Sequence, residues 1–594
     1  MSATVSDFIL ERLGTWGVHR IFGYPGDGVN GLFGALDRAG ERFDFIQVRH
    51  EEAAALMATA HAKFTGDVGV CIATSGPGAV HLLNGLYDAR KDRQPVVAIV
   101  GQQPRSALGS DFHQELDLQA LFANVASEYC VTVSVPEQAR HAIDRAMRIA
   151  RTRNTVTVVI VPNDVQELGA VPIPPHAHGA LHTSAAYSTP VIVPERVDIE
   201  AAAGILNTGS RVAMLIGSGA RGAVDEVLAV ADRLDAGIAK ALLGKDVLPD
   251  DLPFVTGSIG LLGTQPSWEM MRDCDTLLMV GTDFPYGEFL PEPGQAKSIQ
   301  IEIDASRVGL RHDTDVNLIG DAALTLRALL PLLTKQPDRS GWRDNIEGNV
   351  TKWWEQMTGE AQAKASPVNP ELVVHELSGQ LPDHAIVTAD SGTSVFWYAR
   401  HIKLREGMRG SLSGGLASMG VGVSYAIAAK LAHPDRPVIA LVGDGSMQMN
   451  GLAELLTIKH YRDRFSDPRL VICVFNNSDL NFVTWEQRVM AGDPRFAASQ
   501  DLPVVDYAAV ARSFGLQGER IDEPGQVAGA WQRALAADGP MVLDFVVDPD
   551  IAPLPPHISF EQARNMMFAM ARGDSERGGV MRETVRQVVS RVRG

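Results

Sequence analysis

The chain has 594 residues, 45% of them hydrophobic, and 53 basic against 71 acidic residues leave a net charge of −18. That length exceeds what one hydrophobic core organises, so three or four domains are expected, and the acidic balance argues against nucleic acid as a partner. No apolar run reaches membrane-spanning length, and four scattered cysteines (Cys71, Cys130, Cys274 and Cys473) fit neither a disulfide framework nor zinc-ligand spacing.

Residues 1–17 carry Asp7 and Glu11 within a helical periodicity and no basic segment leading into an apolar one, which predicts a cytoplasmic protein without a leader. Region 1–170 then alternates β-rich runs at 18–22, 43–48, 68–72, 96–100 and 155–161 with helical stretches, the pattern of a parallel sheet covered on both faces. His50-Glu51-Glu52 leads into an alanine-rich run, so Glu51 sits where a strand ends and a closely packed helix begins. Thr74-Ser75-Gly76-Pro77-Gly78 is a rigid loop at another strand's C-terminal end, where open α/β sheets bind ligands.

Residues 171–193 are rich in Pro, Ala, His and Ser and read as a linker; a solvated linker accounts for His176, His178 and His182 better than a metal site does. A second α/β unit at 194–335 opens with the run 212–216 and Gly217-Ser218-Gly219-Ala220-Arg221-Gly222, which by itself fits a nicotinamide-dinucleotide loop. A charged connector at 336–368 holds Trp342, Trp353 and Trp354 and leads to a third α/β unit, 369–550.

In that unit an apolar run ends in Gly443-Asp444-Gly445-Ser446. Glycines on both sides of one carboxylate allow a tight turn and close ligand approach, and the helix that follows offers free N–H groups to anionic oxygens. A neighbouring run ends in Asn476-Asn477, and hard oxygen ligands beside a phosphate favour Mg²⁺. The run 95–101 and the run 437–443 read like one strand written twice, which hints that the first and third units share a topology. The tail, 551–594, holds Met566, Met567, Phe568 and Met570, then a basic stretch with Val585, Val588, Val589 and Val592 at helical spacing. Such a helix either lies on a membrane surface or docks on the protein's own body.

Taken together, Glu51, the Gly76-Pro77-Gly78 loop, Gly443-Asp444-Gly445 and Asn476-Asn477 closely resemble the thiamine-diphosphate enzymes, in the branch of acetolactate synthases and pyruvate oxidases, over nearly the whole chain in order. The resemblance implies three successive α/β domains with parallel sheets covered by helices. The first grips the aminopyrimidine of thiamine diphosphate, the middle one often holds FAD, and the third grips Mg²⁺ and the diphosphate. It also implies a homodimer or homotetramer whose active sites lie between the first domain of one subunit and the third of its partner.

By position, Glu51 matches the glutamate that bonds a pyrimidine ring nitrogen, Met419 the bulky residue that props the cofactor into its bent shape, and Asp444, Asn477 and the backbone carbonyl of Asp479 the metal ligands. Gly76, Pro77, Gly78, Gly392, Thr393, Gly443, Gly445 and Ser446 fall on the cofactor loops. Gly217, Ser218, Gly219, Gly260, Gly263, Gly281, Thr282, Phe284 and Asp321 fall on the FAD segments, a joint pattern that displaces the nicotinamide reading. An acid at a strand end there accepts from a ribose hydroxyl, with the choice between Glu302 and Asp304 left open. His113, Gln114 and Glu486 complete the catalytic candidates.

Glu486, within Phe482-Val483-Thr484-Trp485-Glu486-Gln487, is the oxidases' residue, and the tail follows that of the quinone-dependent pyruvate dehydrogenases; Gly414-Gly415-Leu416-Ala417-Ser418-Met419-Gly420 is closer to the synthases. The expected activity is oxidative decarboxylation of pyruvate, or a similar 2-oxo acid, to acetate and CO₂ through a thiamine-bound hydroxyethyl intermediate. Electrons would pass to FAD and then to quinone, with peripheral membrane contact through the tail. The alternatives are an acetolactate-synthase-type carboligase with structural FAD and a non-catalytic paralogue. Three departures stand out: His113 where relatives have Phe, Asn481 where a glycine is usual and a left-handed backbone would suit Asn, and extra residues at 461–468 that read as a surface insertion.

Overall fold

The computed structural model describes residues 3–180, 182–335, 341–557 and 560–572. The alternating pattern folds into three six-stranded, all-parallel sheets covered by helices. Their central strands are continuous apolar runs because both faces are covered: every residue of Val96–Gln102 and of Leu470–Asn476 is buried.

The first sheet comprises β1 (Arg20–Gly23), β2 (Asp44–Gln47), β3 (Gly69–Ala73), β4 (Val96–Gln102), β5 (Cys130–Thr132) and β6 (Val156–Pro162), in the order β2-β1-β3-β4-β6-β5. A small antiparallel ribbon, β7 (Pro175–His176) and β8 (Gly179–Ala180), follows in the 171–193 stretch. That stretch is docked on the first domain, because Arg140 donates to the carbonyls of Pro172 and Thr183, and Thr183 donates to Asp144.

The middle sheet comprises β9 (Val212–Ile216), β10 (Gly237–Lys240), β11 (Val255–Ser258), β12 (Thr276–Val280), β13 (Lys297–Glu302) and β14 (Val316–Ile319), in the order β11-β10-β9-β12-β13-β14. This is the doubly wound dinucleotide-binding order, with its switch point between β9 and β12. The connector at 336–368 is built around a helix, Trp342–Ala361, that packs Trp342, Ile346 and Val350 into the middle domain's core.

The third sheet comprises β15 (Ile386–Ala389), β16 (Arg409–Ser411), β17 (Val438–Gly443), β18 (Leu470–Asn476), β19 (Gln517–Ile521) and β20 (Met541–Val546), in the order β16-β15-β17-β18-β20-β19. Strand for strand this repeats the first sheet. The two look-alike runs that hinted at the repeat are nevertheless not equivalent: β4 corresponds to β18, and β17 corresponds to β3. What is equivalent is the loop after each third strand, Gly76-Pro77-Gly78 in one sheet and Gly443-Asp444-Gly445 in the other.

The helices that follow the second strand of each repeat, Glu51–Thr65 and Gly422–Ala432, pack on each other, and one core cluster runs through both domains. Alanines on both faces, among them Ala54, Ala58, Ala426 and Ala429, permit the close approach. The third domain is also locked to the middle one: the Asp250 carboxylate sits between the buried ammonium groups of Lys240 (2.7 Å) and Lys245 (3.0 Å) and accepts the Leu404 N–H at 2.9 Å.

One expectation is refined and one corrected here. The 461–468 stretch is a helix-to-strand loop with 462–464 and 466 exposed, but it is anchored: Tyr461 and Phe465 are buried in the shared core, the Tyr461 hydroxyl accepts the Gln47 N–H at 2.7 Å, and Arg464 pairs with Asp44 at 2.6 Å. Asn481 is not left-handed; it is the first residue of helix Asn481–Glu486, and its amide donates to Asp479 (3.1 Å) and to the Pro549 carbonyl (2.8 Å). The left-handed residue of that turn is Ser478, at φ 57°.

The tail helix Phe560–Ala571 docks on the protein's own body. Met566 and Met570 join Trp485, Ala552 and Leu554 in a small core, and the Asn565 amide donates to the carbonyls of Val489 and Met490. The basic stretch expected to form an amphipathic helix, with Val585 to Val592, lies outside the described residues.

Candidate active site

The third domain's loops converge at the C-terminal ends of β15, β17 and β18. Asp444 follows β17 and is buried; its Oδ1 accepts the Gly445 N–H at 2.9 Å, and its Oδ2 accepts those of Asn477 (2.9 Å) and Ser478 (2.6 Å). Burial pushes this carboxyl up to about 7, the three N–H groups oppose the shift, and nearby Asp479 adds to it. A carboxylate so enclosed is stabilised by a cation. The Asn477 side-chain oxygen lies beside it and accepts the Asp479 N–H at 3.1 Å. The Asp479 carboxylate is committed elsewhere, to Thr484 (3.0 Å), Arg495 (3.0 Å) and Asn481, so its backbone carbonyl is the group left for a metal. This oxygen set fits Mg²⁺.

Beside these groups lies room for a ligand. Gly392 (φ 98°) and Gly443 meet nothing within 4 Å of an ideal Cβ, so the strand ends that carry them border open space. Thr393 is buried at the start of helix Thr393–His401. The Met419 methyl comes within 3.6 Å of where a Cβ on Gly445 would stand, which puts this side chain beside the Gly445 turn.

Asp390, at the end of β15, escaped the sequence reading. It is a buried acid whose oxygens accept the N–H groups of Ser391, Gly420 and Gly422 and the Ser446 hydroxyl (2.8 Å), tying the Met419 loop to the Asp444 turn. Burial pushes its carboxyl up to about 6 against those bonds. An acid at a strand end, placed as Asp444 is, was the available signal.

The other half is on the first sheet. Glu51 is buried at the start of its helix; its Oε2 lies 2.9 Å from His81 Nδ1, and its Oε1 lies 3.2 Å from where a Cβ on Gly78 would stand. Glycine at 78 therefore keeps the space beside that oxygen clear. Pro77 starts the short helix Pro77–His81, and Gly76 (φ 60°) packs on the Gln114 side chain, with a Cβ position 2.8 Å away. Gln114, itself left-handed, has a buried Oε1 without a partner, while its neighbour His113 is exposed. His50 packs against His81 with centroids 4.3 Å apart and planes tilted by 32°, and His50, Glu51 and His81 bring three ligand-type atoms within 4.8 Å of one another. His81, one helical turn beyond Gly78, was missed because nothing in the sequence ties it to Glu51.

Glu486 stands at the end of helix Asn481–Glu486, immediately before a π-helical turn, Gln487–Ala491; another π turn, Met447–Gly451, follows Ser446. Such turns recur at functional sites. Glu486 is exposed, yet the surrounding protein still raises its carboxyl above the ordinary range.

The middle domain presents its loops at the switch point. Gly217, Gly219 and Gly281 pack backbone on backbone: the Gly219 N–H donates to the Gly281 carbonyl at 3.1 Å, and a Cβ on Gly281 would stand 2.4 Å from the Gly219 carbonyl carbon. Ser218 borders these loops, and Thr282 is buried behind them. Gly260 (φ 100°) lies under the Phe284 ring, and Gly263 folds back on Gly260. Glu302 is the buried acid at the end of β13; burial raises its carboxyl, while Arg93 and the N–H groups of Ile303 and Asp304 oppose this. Asp304 is exposed and committed to Ser306 and Arg307, and Asp321 caps helix Ala322–Leu329 through the Leu324 N–H. Of the two acids that follow one another here, Glu302 is the buried one at the strand end and Asp304 the exposed one.

Comparison with known proteins bears on the same three regions. Family models described as thiamine pyrophosphate enzyme N-terminal TPP binding domain, central domain and C-terminal TPP binding domain match residues 3–121, 199–329 and 390–545. The chain is 34% identical over 571 residues to YdaP of Bacillus subtilis, named as thiamine pyrophosphate-containing, covering 96% of each chain. It is 31% identical to a pyruvate oxidase of Lactiplantibacillus plantarum, over 92% of this chain and 89% of the relative. It is also 31% identical to an acetolactate synthase large subunit of Parasynechococcus marenigrum, over 91% and 86%.

Proposed function

Because this chain belongs to the thiamine pyrophosphate enzyme family, with all three domains in order, we propose that it oxidatively decarboxylates pyruvate or a similar small 2-oxo acid to the carboxylic acid and CO₂, with water supplying the new carboxyl oxygen and two electrons with two protons passing to FAD and on to a quinone. The middle domain carries this reading: a complete dinucleotide-binding sheet with glycine-on-glycine loops at its switch point and a buried strand-end acid, Glu302. The docked tail helix supports the quinone, since it leaves Met567 and Phe568 exposed, at 63% and 50%, as an apolar contact for a membrane surface.

Thiamine diphosphate, when bound, supplies a thiazolium carbon that adds to the 2-oxo group and holds the electron pair left by CO₂. Asp444, the Asn477 side chain and the Asp479 carbonyl would hold Mg²⁺ against the diphosphate, with Gly392 and Gly443 leaving space for the phosphates. Met419 would prop the cofactor. Glu51 Oε1 would hold the proton it shares with a pyrimidine ring nitrogen, the arrangement that makes the ring a base toward the thiazolium carbon. Gln114 and His113 would line the substrate side, and Glu486 would face the reacting carbon. Glu51 and Asp444 stand on different sheets, and in our reading each site joins Glu51 of one subunit to Asp444 of another, in a homodimer or homotetramer.

A non-oxidative carboligase with structural FAD is the second reading, favoured by the equal identity to an acetolactate synthase. The two part in one experiment. Purified protein is given pyruvate anaerobically while flavin absorbance is followed, then a quinone-like dye, with acetolactate and acetoin measured in parallel. Flavin bleaching and dye reduction support oxidation. Acetolactate formed without flavin reduction overturns it in favour of the carboligase.

A further inference from the structure

We infer, resting on the reading of Glu51 above, that His81 is a positioning residue that fixes which oxygen of Glu51 serves the cofactor. Three observations converge. His81 Nδ1 lies 2.9 Å from Glu51 Oε2. Oε1 is left beside Gly78, where the missing side chain keeps the way open. The His81 ring packs against His50, with centroids 4.3 Å apart and the planes tilted by 32°, and His50 is itself anchored because its Nδ1 accepts the Glu52 N–H at the start of the helix.

An ionised carboxylate offers only lone pairs, so in that state His81 Nδ1 carries the hydrogen and donates it to Oε2. The carboxylate plane is then pinned by one oxygen, and the other keeps its lone pairs for the ring nitrogen. Without that bond the side chain, otherwise free to turn about its last torsion, presents either oxygen at varying distance, and a shared proton depends steeply on distance and angle. His81 need not touch the cofactor to have this effect. Its short helix continues directly from the Gly76-Pro77-Gly78 loop, so the loop that clears space for Oε1 and the ring that holds Oε2 move as one piece.

The test uses full-length protein with thiamine diphosphate and Mg²⁺, and reads hydrogen–deuterium exchange at the thiazolium carbon of the bound cofactor by quenched-flow NMR, beside cofactor affinity by calorimetry. His81→Phe keeps a ring against His50 and removes the donor; it is expected to slow exchange about 10²-fold with little change in affinity. His81→Asn places an N–H donor near the position of Nδ1 and is expected to restore most of the rate. Wild-type exchange in folded His81→Phe overturns the inference, as does a parallel loss of affinity that His81→Asn fails to rescue. Glu51→Gln serves as the control. If it too leaves exchange unchanged, the assignment of Glu51 fails; if it abolishes exchange while His81→Phe does not, only the role of His81 fails.

Discussion

Asp390 accepts the hydroxyl of Ser446 at 2.8 Å, joining the end of β15 to the turn that follows β17. The same carboxyl holds the N–H groups of Gly420 and Gly422, so one buried acid fixes the Met419 loop against the Asp444 turn. Replacement by alanine strands three backbone N–H groups and a hydroxyl. Asp390→Ala is expected to cost about 3 kcal/mol, read as a lower urea midpoint, and to weaken thiamine diphosphate binding in calorimetry. Unchanged affinity would reduce Asp390 to a purely structural residue.

Asp444 predicts how Mg²⁺ binding depends on pH. Burial holds its carboxyl at about 7, against an unfolded value of 3.8. Between these values the folded chain binds the extra proton, so without metal the contribution of this group to stability is fully present below about pH 4 and is lost as pH rises through 7. The metal needs the carboxylate. Mg²⁺ affinity should therefore fall about tenfold per unit as pH drops below 7 and level off above it. Titrations across that range check this, and a flat profile would remove Asp444 from the metal site.

Gly281 and Gly222 separate the two ways a glycine can matter in the middle domain. A Cβ at Gly281, φ 58°, would stand 2.4 Å from the backbone of Gly219, whereas one at Gly222 meets nothing within 4 Å. Gly281→Ala should force the switch-point loops apart at a cost of about 1–3 kcal/mol and yield protein lacking flavin absorbance. Gly222→Ala should purify yellow. Flavin retained by both would take FAD away from this crevice.

The tail helix buries Met566 and Met570 against Trp485, one residue before Glu486. Met566→Ala combined with Met570→Ala should release it at a cost of about 2–5 kcal/mol, exposing 560–572 to limited proteolysis and shifting Trp485 emission to the red. Emission that stays blue would show that the tail does not cover Trp485.

Much of this was legible in the chain because the signals are local. Apolar runs placed the central strands within a residue or two, since a strand buried on both faces leaves a continuous apolar record. Gly443-Asp444-Gly445, Asn477 and Glu51 stood out as strand-end residues. What stayed hidden depends on partners distant in sequence. Asp390 gains its meaning from residues 30 to 56 positions later, and Asp250 from a domain contact at Leu404. At 461–468 the charged residues suggested a loop in water, and 462–464 are exposed, but the anchor Tyr461 reaches a strand more than 400 residues earlier. The repeat was inferred from the wrong pair of strands because composition reports burial, and all central strands are alike in that.

One face of the helix Glu51–Thr65 is covered by Gly422–Ala432, which belongs to the third domain. A ribosome adding about 5–20 residues per second needs roughly 20–70 s to make the intervening chain. For that interval the helix rests only on its own domain, on Leu83–Lys91 and the first sheet, while the alanine face that Gly422–Ala432 will cover stays open to water.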